Sequence, residues 1–206
     1  MLGVNQSNLC QLGAADLDRV CGDMAGYGFA SVRFAVDWGY LASFAGTVNY
    51  EPVERVAGAL GKHGLTPLPV LGIHHPFVHS PKAFGVFTTR VVGIFGSLPA
   101  YEVWNEPNLW AFGIGTPKQF LTYLRAASPV IRAAGAAVIH GGLAAYPDHR
   151  VLWLRNYSPT TWLNELYAAG ENGDYDLFGY HPYSITPAEK WTDPNDAPYG
   201  IDQITL

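Results

Sequence analysis

Trp104-Asn105-Glu106-Pro107-Asn108, preceded by Tyr101-Glu102-Val103, is the stretch whose reading decides the fold. Pro107 has no N–H to give to a β-ladder, so the run reads as the end of a short buried strand. Glu106 is then presented at the strand's C-terminal rim, with Trp104 two positions earlier on the same face. A carboxyl so placed, beside the amide of Asn105, suits a general acid with one hydroxyl-binding partner, which is what glycoside cleavage requires. A plainer reading makes Trp104 core, Glu106 a solvated loop charge and Pro107 a turn former. The neighbouring segments have to decide between them.

Working outward, residues 65–73 are almost wholly apolar, as expected of a strand buried on both faces, and lead into His74-His75-Pro76. Residues 29–38 alternate Val32, Phe34 and Val36 with Arg33, Ala35 and Asp37, a strand ending at Trp38. Residues 2–5 are a short first strand, 136–139 a fifth leading to His140-Gly141-Gly142, and 175–180 a sixth leading to His181-Pro182-Tyr183. Helical spacing fills the intervals: Leu17, Val20, Cys21 and Met24, then Val53, Val56, Ala57 and Leu60. Ser80-Pro81, Thr116-Pro117 and Ser158-Pro159 each set a capping hydroxyl before a proline at the first helical position, and Gln119 completes a capping-box pattern. The helix after Ser80 is expected to reach about residue 98, weakened by Gly85, Gly93 and Gly96. Pro129 is expected to kink or split the helix carrying Phe120, Leu124, Ala127 and Ile131.

Strand ends near Gln6, Asp37, Ile73, Glu106, Leu143 and His181 are separated by 31, 36, 33, 37 and 38 residues. Regular alternation of strand and helix predicts a parallel α/β sheet built by right-handed crossovers, and polar residues gathered at strand C-termini predict the active face of a (β/α)8 barrel, about six of whose eight units are present. The doubly wound open sheet is disfavoured, because no Gly-rich phosphate loop follows the first strand and the polar residues follow several strands rather than one switch point. Residues 1–206 are expected to form one incomplete barrel domain.

The totals agree with a single substantial core: 206 residues, 49% of them hydrophobic and 14% charged. A net charge of -5 without a basic patch argues against nucleic acid or an anionic membrane as partner, and no run approaches membrane-spanning length. No signal peptide is recognisable at the start. Cys10 and Cys21 form neither a disulfide framework nor a metal knuckle and read as small buried hydrophobes. No cofactor motif is visible. Abundant aromatics, including Trp38, Trp110 and Trp153 near strand ends, are compatible with platforms for sugar rings as well as with packing.

Taken together, Ser31-Val32-Arg33, His74-His75, Trp104-Asn105-Glu106-Pro107 and the segment from Asp176 to Tyr183 resemble glycoside hydrolase clan A, in particular its cellulase-like and xylosidase-like families. The resemblance implies a retaining glycosidase, with Glu106 as acid/base and Asn105 bonding the hydroxyl next to the reacting carbon. It further implies that Arg33, His74 or His75, His181 and Tyr183 line the carbohydrate site and hold the nucleophile's carboxylate, and Trp38, at its strand end, is the substrate-stacking candidate beside them. Arg33 has an alternative, a structural ion pair with Glu102, and His74 and His75 could simply flank a turn at Pro76. A metal site from His74, His75 and His79 has neither the i, i+4 nor the His-x-His spacing such sites use. His63, His149 and Glu171 read as surface residues.

In the clan the nucleophile is a Glu ending a seventh strand, and no such segment is found among these residues; two more βα units, roughly 70 residues, would bring the length to that of a usual barrel. Asp37 is the other carboxylate expected at the rim. Six strands without closure are expected to leave two open sheet edges and an uncovered apolar interior, inviting self-association or a completing partner. Three functions follow for testing: a truncated retaining glycosidase, a non-catalytic carbohydrate-binding or partner-completed barrel, and a metal-dependent barrel hydrolase.

Overall fold

The computed structural model describes residues 2–76, 79–152 and 154–182. Six parallel strands, β1 (Gly3–Asn5), β2 (Ser31–Asp37), β3 (Thr66–Gly72), β4 (Ala100–Val103), β5 (Ala137–Ala144) and β8 (Leu177–His181), lie side by side in chain order. This sequential order is the barrel's signature, since a doubly wound sheet reverses at a switch point. The sheet curls into part of a (β/α)8 barrel. The connecting helices are α1 (Ala14–Gly26), α3 (Glu51–Lys62), α4 (Pro81–Phe95), α5 (Pro117–Ala133) and α6 (Pro159–Ala168). They pack on one another in chain order, α1 on α3, α3 on α4, α4 on α5 and α5 on α6.

The alternation in β2 separates two environments. Val32, Phe34 and Val36 are fully buried toward the helices, while Arg33, Ala35 and Asp37 are half-buried on the other face. Burying three such side chains favours this register by about 1.5–3 kcal/mol each, and a slip by one residue would turn them all to the wrong side. Leu17, Cys21 and Met24 of α1 and Val53, Val56 and Leu60 of α3 supply the facing layer. Both cysteines are free and buried, and burial pushes the Cys10 thiol up to about 12.

The helix starts follow the sequence signals. The hydroxyls of Ser80, Thr116 and Ser158 accept hydrogen bonds from the N–H groups of Ala83, Gln119 and Thr161 at 3.1, 3.1 and 3.2 Å. Several expectations are corrected. Helix α4 ends at Phe95, because Gly96 turns the chain at φ 70, and it runs unbroken through Gly85 and Gly93. Gly85 lets α5 approach closely: a Cβ there would sit 3.2 Å from the Ala126 carbonyl. Helix α5 runs continuously through Pro129. Strand β3 is buried fully only over its last four residues. Glu171 is 7% exposed, its carboxylate accepting the Asp174 N–H at 2.8 Å, and His63 is half-buried against Asp18.

Three features had no sequence signal. A short helix α2 (Trp38–Leu41) follows β2, a 3₁₀ turn spans Trp110–Phe112, and a hairpin of β6 (His149–Val151) and β7 (Leu154–Asn156) sits between β5 and α6. At one edge of the described sheet β8 exposes Leu177 and Phe178. No helix among the described residues is long and apolar enough to cross a membrane.

Candidate active site

At the C-terminal ends of the strands an open cavity of about 750 Å³ is lined by Arg33, His74, Asn105, Glu106 and His181, together with Asp37. Five of the eight residues expected at the site are thus brought together. Two others are not. Trp38 is 2% exposed and stacks with Phe87, with ring centroids 5.8 Å apart, in the layer between sheet and helices. His75 packs in the same layer, 4.8 Å from Trp104 and 4.9 Å from Tyr123. The eighth, Tyr183, lies outside the described residues, as does Trp153.

The motif of β4 is built differently from a strand end. The ladder stops at Val103, and both Trp104 (φ 71) and Glu106 (φ 43) take left-handed backbone conformations. Such conformations cost of order 1–3 kcal/mol each outside glycine and persist where packing over-determines them. They also cancel the expected parity. Trp104 swings outward, fully buried, its indole N–H donating to the Phe112 carbonyl at 3.0 Å. Gly72 is required beneath it, since a Cβ there would overlap the Trp104 ring. Glu106 turns inward, 6% exposed, and one carboxylate oxygen lies 2.8 Å from His181 Nδ1.

A glycine on β5 ties these parts together. The Gly142 N–H donates to Glu102 at 2.9 Å, and its carbonyl accepts the Glu106 N–H at 3.0 Å. The His181 ring lies directly on it, where any Cβ would collide. A register shift between His140 and Leu143 creates this arrangement, so the bulge aims the side chains of its neighbours. The pair Gly141-Gly142, just past the expected strand 136–139, was the available signal.

Arg33 is held by Glu102 in a two-pronged pair, Nε to Oε2 at 2.7 Å and Nη2 to Oε1 at 2.8 Å. Nη2 also donates to Asn105 Oδ1 at 3.0 Å and Nη1 to Asn5 Oδ1 at 3.3 Å. The structural pairing is therefore the one observed, and through it Arg33 fixes the Asn105 amide. Asp37 accepts the N–H groups of Gly39 and Tyr40 at 3.0 and 3.3 Å, capping α2, and its other oxygen is 2.7 Å from His74 Nδ1. Asn108, fully buried, was overlooked as a structural residue. Its side chain bonds Ala144 N and O at 3.0 and 2.9 Å and the Tyr157 carbonyl at 2.8 Å, fastening the loop after β4 to β5 and the start of α6.

Two histidines outside the cavity are held neutral. His140 is fully buried, receiving the Trp162 indole N–H on Nε2 at 3.3 Å, and burial pushes it down to about 4. His75 is likewise lowered to about 4, chiefly by burial. The rings of His75 and His79 stack face to face at 4.2 Å while His74 turns to Asp37, so the three do not converge on one point. Among the described residues no group of three or more His, Cys, Asp or Glu side chains is placed to hold a metal ion.

No family model and no curated protein matches the chain. Solved structures do. An exo-β-1,4-mannosidase from Opitutaceae bacterium strain TAV5 is similar over 70% of this chain and 32% of its own, with 21% identity and a TM-score of 0.57. An endo-1,4-β-mannanase from Rhizomucor miehei is similar over 88% and 66%, with 13% identity and a TM-score of 0.61. A bacterial orthologue of human α-L-iduronidase is similar over 89% and 33%, with 15% identity and a TM-score of 0.59. The chain thus spans from about a third to about two-thirds of the length of these enzymes. What identities this low show is the fold alone: over most of its length the chain is built as the (β/α)8 barrel of these glycoside-cleaving enzymes.

Proposed function

We propose that this chain forms the larger part of the catalytic barrel of a retaining glycoside hydrolase, with Glu106 as its acid/base. The observation that carries the reading is the inward-turned Glu106 at the cavity wall, bonded to His181 and next to an Asn105 amide fixed by Arg33. A general acid must reach a leaving-group oxygen in the cavity and sit beside a hydrogen-bonding neighbour, and the place of Glu106 in the lining and its contact with His181 support that reading. Asn105 retains its amide NH₂ for a sugar hydroxyl, because its oxygen is occupied by Arg33.

The retaining mechanism needs a second carboxylate about 5 Å away to attack the anomeric carbon. Asp37 is the other carboxylate lining the cavity among the described residues, and its oxygens are engaged by α2 and His74. The reading therefore assigns the nucleophile to a residue outside those described. In protein that turns over, Glu106→Gln should lower kcat/KM on substrates with poor leaving groups by about 10²–10⁴-fold while sparing the first step on activated aryl glycosides. Equal losses on both substrates would remove Glu106 from the acid/base role.

A second reading is favoured by the exposure of Leu177 and Phe178 on β8: a barrel that binds sugar without turnover and is completed along that edge by another copy or another protein. It predicts calorimetric sugar binding without hydrolysis, and sedimentation that depends on concentration or on the partner.

A further inference from the structure

On the strength of the glycosidase reading, we infer that the cavity takes an uncharged glycan and rejects sugars bearing carboxylate or sulfate groups. A site for acidic sugars needs a cation free to meet them, because an unpaired anion in a cleft of this kind carries a large desolvation cost. Among the described lining residues Arg33 is the one lysine or arginine. Both prongs of its guanidinium are fastened to Glu102, and its remaining bonds go to the amide oxygens of Asn105 and Asn5. Glu102, 3% exposed, sits directly behind it. The two histidines at the wall do not change the balance, since each is bonded through Nδ1 to its own carboxylate, His74 to Asp37 and His181 to Glu106. Among the described residues the wall therefore presents one arginine, already matched to a carboxylate beneath it, beside Asp37 and Glu106.

The rest of the described lining is suited to neutral hydroxyls. Asn5, Ser7, Asn8 and Gln11, from β1 and the turn after it, supply amides and a hydroxyl that both donate and accept. Tyr40, 56% exposed and also lining the cavity, offers an aromatic face on which the C–H side of a sugar ring can lie. Polar groups without net charge next to an exposed ring select hydroxyl patterns, while the carboxylates around Arg33 act against anions.

The test is a glycan array carrying neutral, carboxylated and sulfated oligosaccharides, followed by calorimetric titration of each neutral ligand against its counterpart oxidised to a carboxylate at C6. The expected result is binding confined to neutral glycans, with the oxidised counterpart at least about tenfold weaker at low salt and the gap narrowing as added salt screens the repulsion. Glu102→Gln, which loosens the hold on Arg33, should narrow the same gap at low salt. Equal or tighter binding of oxidised glycans overturns the inference and leaves the glycosidase reading standing. Binding of no glycan on the array overturns both.

Discussion

Two regions that look alike in the sequence behave oppositely in the fold. The ends of β4 and β8 place Glu106 and His181 inward on the cavity, whereas the segment after β3 and the tryptophan of the β4 motif place His75 and Trp104 outward, against Phe84 and Tyr123. Both regions combine histidines and aromatics at strand C-termini. The difference lies in the backbone: Ile73, Trp104 and Glu106 all have positive φ, so side chains beyond the ladder no longer alternate. Residue type marks a strand end as special, and the turn geometry decides which side of the sheet it serves.

The sharpest way to break this comparison is to truncate the outward side. Trp104→Ala should lower unfolding stability by about 3–5 kcal/mol, read as a fall in urea midpoint, because it empties a fully buried site. Asn105→Ala, one residue away on the cavity side, should cost little stability and act on sugar binding instead. A stable Trp104→Ala protein with weakened sugar affinity would erase the distinction between the two sides.

Acid provides a second separation. His75 and His140 have folded pKa values near 4 against an ordinary 6.5, so the unfolded chain takes up protons first as pH falls. The stability associated with these neutral rings is complete above pH 6.5 and is lost as pH falls toward 4, by up to about 3 kcal/mol for His140 and less for the half-buried His75. Denaturation midpoints measured across that window should flatten in His75→Leu. A slope unchanged by that substitution would mean that His75 is solvated like a loop residue.

The smallest effect sharpens the inward side. Gly142→Ala should cost about 1–3 kcal/mol by overpacking, with its main consequence local: the added methyl displaces the His181 ring from Glu106. Ring resonances of His181 followed by NMR should shift, and sugar affinity should fall. Unaltered His181 resonances would show that the glycine does not set the pair.

Much of the fold was legible because its signals are local. The 31- to 38-residue spacing, the alternation in β2, and the hydroxyl-proline starts at Ser80, Thr116 and Ser158 each depend on residues a few positions apart. Those signals led to six strands in parallel order and to a rim holding Arg33, His74, Asn105, Glu106 and His181. The sequence by itself thus determined the periodic elements and the chemistry available at their ends.

Tertiary structure alone decided what each end residue touches. The inward turn of Glu106, the outward burial of Trp38, His75 and Trp104, the close contact of Gly142 with His181, and the fastening of three segments by Asn108 all depend on partners 36 to 75 positions away or on backbone angles beyond the ladder. Arg33 shows the limit most clearly: its sequence context allowed either a substrate contact or an ion pair with Glu102. That choice is made by distance in space, because a buried guanidinium must be matched by a carboxylate within hydrogen-bond reach, and periodicity carries no such distance.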